Sequence, residues 1–294
     1  MSSFLYTTGA VLARWLSPGV AIAMTEIIAR SQYYARAASR QIVLHNLRII
    51  SSDEKNEKVL RAAARNVFSN FGKSIYWFLR LPDMDTAELE SRCDYGGLDK
   101  IVAELAAKGG FIIAGPHVGP WEVAGALLSA LGVRVHTVAL DHPSRGVTDF
   151  FQERRKGTGI VSYPLGGSFS HLCDALRQGG CVALLIDRTY GRVRGSYPLF
   201  GLDSPLPMGH AALAVRCRVP IVTAACVFAP DGRFRFVFKG PYYADTGVGE
   251  EAAVENLHRR CREDMEEFIR SYPDQWFHFT KLEGESTCPK LSNR

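Results

Sequence analysis

The stretch FIIAGPHVGPWEVAGALLSALGVRVHTVAL, residues 111–140, decides the fold of this chain. Its opening FIIAG is a short apolar run of the kind that forms a buried strand, and WEVAGALLSALG is typical of a helix. A second strand is predicted where VRVHTVAL follows. Strands that alternate with helices in this way are typical of an α/β sheet covered on both faces.

The alternation continues on both sides of this stretch. Further helices are predicted at residues 98–110, 148–159, 168–180, 210–219 and 250–273. Further strands are predicted at residues 160–165, 181–187, 220–229 and 233–242. The last of these, RFRFVFKGPY, alternates apolar with charged residues, which predicts an antiparallel strand at the edge of the sheet. The sequence therefore predicts an α/β fold with a mixed central sheet flanked by helices.

The first part of the chain is predicted to be helical. Residues 20–50 and 51–82 carry apolar residues at helical spacing, and Pro82 ends the second of these segments. We therefore expect a helical region over residues 1–82 that associates with a membrane and packs on the core. Residues 83–294 form the α/β core, and the two parts are expected to make one domain.

Residues 4–29 are apolar enough to raise the question of a membrane. Arg14 and Pro18 interrupt the run, so the chain lacks the stretch of about 18 apolar residues that a spanning helix needs. The basic residues that precede the apolar part of a signal peptide are also missing. We expect one or two helices that lie on the protein or at a membrane interface, with a signal peptide and a spanning helix as the alternatives.

The composition narrows the classes of partner. A net charge of +5 fits phosphate-bearing substrates or an anionic membrane surface. Nucleic acid is not expected, because the sequence has neither a basic helix nor a stacking motif. The seven cysteines form no CxxC pair, which favours reduced thiols, and the histidines lack the spacing of metal ligands.

A histidine directly follows the strand at 111–115. Ligands in open α/β sheets bind beyond the carboxyl ends of the strands, so His117 lies where a site is expected. Pro120 suits the first position of a helix that begins near Trp121, which places Glu122 in its first turn. We expect the bend to bring the Glu122 carboxylate onto the imidazole, making His117 a general base. The alternative is a structural loop whose histidine makes local hydrogen bonds.

Other residues are predicted to lie at the same edge of the sheet. Gly115 and Gly119 would let the backbone approach a substrate closely. Asp187 and Arg188 end another buried strand, and Arg155 precedes a glycine turn. Asp187 has an alternative interpretation as a structural cap, and each arginine as a solvated surface charge.

Read together, these segments resemble the bacterial lipid A biosynthesis acyltransferase family, the late lauroyl and myristoyl transferases. Phosphatidylinositol mannoside and lysophospholipid acyltransferase-like proteins are included in that likeness, which extends from Asn46 to about residue 280. The family's histidine, four residues, then Asp or Glu is matched at His117 and Glu122, with Pro120 in place of the usual asparagine. Further matches are Arg155 with Gly159, then Asp187, Tyr190, Gly191, Arg194, Gly195 and Phe200, and finally Pro273, Asp274, Gln275 and Trp276.

The resemblance implies a glycerolipid acyltransferase-like fold and an O-acyltransferase without a cofactor. An acyl chain would move from a thioester, on acyl carrier protein or coenzyme A, to a hydroxyl of a membrane lipid or glycolipid. His117 would be the base, Glu122 would orient it, and Arg155 would bind an oxyanion or a phosphate. The expected substrate-binding set is Arg155, Asp187, Arg188, Gly119 and Trp121, whereas Trp276 and Phe277 are expected to pack.

A lipid acceptor would reach the site from the bilayer. The resemblance therefore implies a peripheral or monotopic protein on the cytoplasmic face of an inner membrane. A rival hypothesis is a non-catalytic lipid-binding or membrane-scaffold protein with the same fold. A thioesterase-like hydrolase that passes the acyl group to water is a third possibility.

Overall fold

A computed structural model describes residues 3–51, 56–189, 199–202, 204 and 206–282 of the chain. Four residues of the family motifs, Tyr190, Gly191, Arg194 and Gly195, lie outside the described residues, as does Cys288. The helices are α1 (Ser3–Trp15), α2 (Pro18–Ala35), α3 (Ala37–Ile50), α4 (Glu57–Arg80), α5 (Thr86–Ser91), α6 (Leu98–Lys108), α7 (Trp121–Ala130), α8 (Arg145–Gly157), α9 (Phe169–Arg177), α10 (Gly209–Cys217) and α11 (Glu250–Ser271).

Seven strands form one sheet, which is mixed, as the sequence predicts. They are β1 (Cys93–Asp94), β2 (Phe111–Gly115), β3 (Val135–Ala139), β4 (Val161–Pro164), β5 (Cys181–Leu185), β6 (Ile221–Phe228) and β7 (Phe234–Tyr242). Their order is β1-β7-β6-β2-β5-β3-β4, so the strand that opens the deciding stretch lies near the middle. Each neighbouring pair is parallel except β6 and β7.

Both faces of the sheet are covered. Phe111 of β2 packs in a core with residues of α6 and α7, whereas Ile112 and Ala114 pack in a second core with residues of α9, α10 and α11. Successive side chains of a strand point to opposite faces, so a strand buried on both sides has a continuous apolar run. This is why FIIAG contains no polar residue.

The prediction for the strand at 233–242 is half right. β7 is antiparallel to β6, as expected, but it is not the edge of the sheet, because β1 pairs with it on the outer side. Arg235 Nε of β7 donates to Asp94 Oδ2 of β1 at 3.0 Å, so the charge that suggested an exposed edge has a partner there. With two residues, β1 is too short to produce a sequence pattern.

The helical start of the chain is confirmed, with a break at Pro18 between α1 and α2. Ala29 of α2 and Leu44 of α3 belong to the same buried core as Ile112 of the sheet. α4 ends at Arg80, and Pro82 lies in the short 3-10 turn Leu81–Asp83 that follows. Within the described residues, no helix is both long and apolar enough to cross a membrane.

Candidate active site

The site lies where β2 and β5 end side by side. Gly115 and Leu185 are paired in the sheet, so the residues two positions further along each chain emerge together. These residues are His117 and Asp187, and His117 Nδ1 lies 2.5 Å from Asp187 Oδ1. The parallel register therefore produces a histidine–carboxylate pair from segments 70 residues apart.

The pKa shifts of this pair favour a neutral His117 beside an ionised Asp187. Burial lowers the pKa of His117 below its usual value and outweighs the raising effect of the Asp187 charge. Burial alone would raise the pKa of Asp187, but the hydrogen bond from His117 and the charge of Arg188 hold that pKa below its usual range. An ionised Asp187 accepts a hydrogen bond from His117 Nδ1–H, which leaves Nε2 of the neutral imidazole unprotonated. Among the described residues, His117 Nε2 has no hydrogen-bond partner, so it is available to a substrate.

The expected contact between Glu122 and His117 is not the one that forms. Glu122 lies in the first turn of α7, as predicted, but its carboxylate accepts hydrogen bonds from Arg155 of α8, at 2.6 Å from Nη2 and 3.1 Å from Nε. Both side chains are largely buried, at 13% and 15% exposure. A two-pronged pair of this kind fixes both groups, so the guanidinium expected to bind substrate is held by the protein itself.

The two glycines beside the histidine pack closely against β6. A Cβ at Gly115 would collide with the Ala224 carbonyl oxygen of β6, and one at Gly119 with the Cys226 carbonyl oxygen. Gly119 also has φ +58°, a conformation that glycine adopts readily. The loop therefore lies directly against β6, and substrate binding by Gly119 stays a prediction.

The segment 275–277, which follows α11, holds in place the loop 116–120 that carries His117. Gly119 N–H donates to the Gln275 carbonyl at 2.8 Å, and Phe277 N–H donates to the His117 carbonyl at 3.0 Å. Trp276 Nε1 donates to Asp187 Oδ2 at 2.8 Å, so this buried indole completes the environment of the carboxylate. Trp276 was expected only to pack, because no short-range pattern links it to Asp187.

The remaining predicted residues surround the pair. The ring of Trp121 meets that of His117 edge-on, with centroids 5.1 Å apart. Arg188 donates from Nη2 to the Phe277 carbonyl, and its charge contributes to lowering the pKa of both His117 and Asp187. Arg188 is thus bound to the same segment, 275–277, that holds the loop of His117. In the part of the chain that the structure describes, no group of three or more His, Cys, Asp or Glu residues could hold a metal ion.

An apolar cavity of about 120 Å³ lies between α7 and the sheet, and it is lined by Pro116 and Val118, the neighbours of His117 in the chain. Trp121, Glu122 and Arg155 line it near the ends of the strands, and Val135 at the start of β3 lines it at the far end. Most of the other lining side chains are small or aliphatic: Ile113, Ala124, Gly125, Leu128, Ile160, Ala183 and Ala224. A mainly apolar cavity with a few polar groups near the ends of the strands suits an apolar ligand.

Comparison with known proteins gives a consistent picture. The family model described as bacterial lipid A biosynthesis acyltransferase matches residues 1–282. Phosphatidylinositol mannoside acyltransferase of Mycobacterium tuberculosis (strain CDC 1551 / Oshkosh) is 33% identical over 209 residues, which cover 68% of this chain and 64% of that protein. The protein of the same name from Mycolicibacterium smegmatis is 28% identical over 207 residues, 68% of this chain and 66% of the relative. The matched part therefore spans just under two thirds of the length of these curated relatives.

Proposed function

The chain belongs to the bacterial lipid A biosynthesis acyltransferase family, and we propose that it is an O-acyltransferase. It moves a fatty acyl chain from a thioester to a hydroxyl group of a membrane lipid or glycolipid. The observation that carries the proposal is the His117–Asp187 pair, with His117 Nε2 unpartnered among the described residues and an apolar cavity lined by Pro116 and Val118 on either side of His117 in the chain. His117 supplies the base, and Asp187, rather than Glu122, orients it.

The reaction needs only a proton shuttle and a site for charge. His117 Nε2 takes the proton of the acceptor hydroxyl as its oxygen attacks the thioester carbonyl carbon. The tetrahedral intermediate then collapses, the carbon–sulfur bond breaks, and the leaving thiolate takes the proton from His117. Asp187 stabilises the imidazolium that exists between these two steps.

The intermediate carries an oxyanion, which fixed donors stabilise best. Arg155 is a weak candidate for this role, because its guanidinium already binds Glu122. The backbone N–H of Glu122 is a better candidate. It lies in the first turn of α7, where helical N–H groups have no partner within the helix. The Glu122–Arg155 ion pair then has the task of fixing that turn against α8.

The donor places its hydrocarbon in the cavity under α7. The lining is almost entirely apolar, so burying a methylene chain there is favoured by about 0.8 kcal/mol per CH₂ group. Either acyl carrier protein or coenzyme A serves as the carrier in this proposal. Phosphatidylinositol mannoside, which the names of the relatives specify for those proteins, is the first acceptor to test.

The acceptor reaches the site from a membrane on which α1 and α2 rest. Several large apolar side chains of these helices are exposed, among them Trp15 at 78% and Ile27 at 67%. Arg14 and Arg30 are exposed close to them and would meet anionic headgroups. We propose a peripheral or monotopic protein on the cytoplasmic face of the inner membrane.

Membrane docking is best tested with point substitutions. Deleting residues 1–30 would uncover the α4 surface against which Ala29 packs, so the remainder would be damaged. Trp15→Glu combined with Ile27→Glu should weaken sedimentation with phosphatidylglycerol vesicles. The matched control is Val59→Glu, which alters an exposed apolar residue of α4. Equal vesicle binding by both variants would remove α1 and α2 from the docking surface.

Activity is tested with the purified chain, radiolabelled palmitoyl-coenzyme A or palmitoyl carrier protein, and phosphatidylinositol mannoside in mixed micelles. A labelled lipid product that His117→Ala fails to make supports the transferase. Thioester loss at the same rate with and without the acceptor would instead indicate the hydrolase. Binding of lipid without any thioester consumption would indicate the non-catalytic lipid-binding protein.

A further inference from the structure

A second histidine lies next to the Asp187 carboxylate. His278 Nδ1 is 4.0 Å from Asp187 Oδ2, the oxygen that His117 does not contact. The His278 side chain is 8% exposed, and among the described residues its Nδ1 has no hydrogen-bond partner. Leaving a buried polar atom without a partner destabilises a fold, so such an atom calls for an explanation.

The position of His278 is fixed from two sides. Its ring stacks on the indole of Trp276, with centroids 4.6 Å apart and planes 24° apart. Its backbone carbonyl accepts a hydrogen bond of 3.0 Å from Asn46 Nδ2, which ties this segment to α3. The same Trp276 donates to Asp187 Oδ2. His278 is therefore held beside the carboxylate by the group that already supports it.

We propose that His278 is a positioning residue, whose Nδ1–H donates to Asp187 Oδ2 when substrate fills the site. The present 4.0 Å separation is too long for a hydrogen bond, and hydrogen bonds in unliganded active sites are often long and shorten once substrate binds. An ionised carboxylate has about four acceptor positions, so Asp187 can take this third donor beside His117 and Trp276. The inference rests on the proposed function, because it assigns His278 to the same carboxylate.

The charges around His278 favour a neutral donor. Burial lowers the pKa of His278 to about 4; the Asp187 charge opposes this shift, and the Arg188 charge acts in the same direction as burial. His278 is thus uncharged near neutral pH. An uncharged donor restrains Asp187 without adding a positive charge that would compete with the His117 imidazolium for the carboxylate.

This role predicts a shift in the titration of His117. A third donor disperses part of the Asp187 charge, so Asp187 stabilises the His117 imidazolium less. Loss of that donor should raise the pKa of His117 in the substrate complex and move the acidic limb of the kcat profile to higher pH. It should also lower kcat about ten-fold, as expected for one hydrogen bond to a charged group.

Two substitutions separate the hydrogen bond from the stacking. His278→Asn keeps an amide donor close to the position of Nδ1 but removes the ring, whereas His278→Phe keeps a ring and removes the donor. We expect His278→Asn to retain the wild-type pH profile and His278→Phe to show the shift. His258→Phe is the matched control, because it places phenylalanine at a buried histidine elsewhere in the fold, in α11, and it should leave the profile unchanged.

The titration of His117 is also measured directly, by NMR of protein labelled with ¹⁵N-histidine and saturated with hexadecyl-coenzyme A, a thioether that fills the donor site but cannot transfer its chain, with His117→Gln to assign the signal. Unchanged titration in His278→Phe overturns the inference, as does a larger loss in His278→Asn than in His278→Phe. If the phenylalanine variant does not fold, His278→Gln, whose amide lies near the Nε2 position, replaces it with the same expected shift. A failure of the wild-type chain to transfer acyl groups counts against the proposed function alone, since the NMR titration needs no turnover.

Discussion

The Glu122 carboxylate binds Arg155, and Asp187 occupies the position beside His117 that the H-x4-E spacing predicted for Glu122. The helical start at Trp121 explains this outcome. Glu122 projects from the first turn of α7 toward α8, whereas Asp187 follows a strand that runs directly beside β2. Two carboxylates thus have separate tasks, one at the imidazole and one at the wall of the cavity.

This division predicts different effects of removing each charge. Asp187→Asn should lower kcat about 10²- to 10⁴-fold, because an amide no longer stabilises the imidazolium and can favour the wrong tautomer of His117. Glu122→Gln should affect kcat less and stability more. Steady-state rates and urea unfolding of both variants give the comparison. A greater kcat loss in Glu122→Gln would return Glu122 to the role of orienting the base.

The Arg155–Glu122 pair is expected to act through the fold rather than through substrate. Breaking a buried ion pair from one side leaves an unpaired charge and typically costs about 3–5 kcal/mol, whereas replacing both partners with apolar groups is often close to neutral. Arg155→Met and Glu122→Leu should each destabilise the protein, and the double variant should recover much of the loss in stability and rate. If Arg155 binds an oxyanion or phosphate, the double variant will unfold normally but stay as inactive as Arg155→Met.

Sequence patterns identified the elements of this fold well, because apolar runs and helical spacing report burial locally. The sequence patterns did not predict which of these elements lie side by side. His117 and Asp187 were both singled out, yet nothing in either segment states that Gly115 and Leu185 share a register. Trp276 and His278 lie still further along the chain, and their contact with Asp187 depends on how the end of α11 returns across the sheet.

Stability should fall in mildly acidic solution. Burial lowers the pKa of His210 to about 3 and the pKa values of His258 and His278 to about 4. Between about pH 6.5 and pH 4 the unfolded chain therefore binds protons that the folded chain does not, so the free energy of unfolding decreases as pH falls. Each such histidine contributes a slope of at most about 1.4 kcal/mol per pH unit.

The titration of Asp187 does not contribute to the loss of stability in this pH range. Its lowered pKa contributes stability that is fully present above its unfolded value of 3.8 and is lost only at more acidic pH. Urea unfolding at about pH 7 and about pH 5 should show a smaller difference for His258→Phe than for the wild type. Replacing the exposed His171 with asparagine should leave the difference unchanged. A wild-type stability that is flat over this range would mean that these histidines take up protons while the protein stays folded.

The cavity under α7 should set the preferred length of the acyl chain. Leu128 lines it in the third turn of that helix, so Leu128→Ala should extend the space and shift preference toward longer acyl thioesters. Ala124 lines it one turn nearer the active site, so Ala124→Leu should shorten the space and favour shorter chains. The neighbouring Leu127 is equally buried but does not line the cavity, which makes Leu127→Ala the control for a general loss of packing, about 2–5 kcal/mol for such a change. The preference is measured by competition among thioesters of different lengths, with the products resolved by mass spectrometry.

Opposite shifts in Leu128→Ala and Ala124→Leu, with none in Leu127→Ala, are expected because only the first two change the length of the hydrocarbon space. If all three variants keep the wild-type preference, the acyl chain binds outside this cavity.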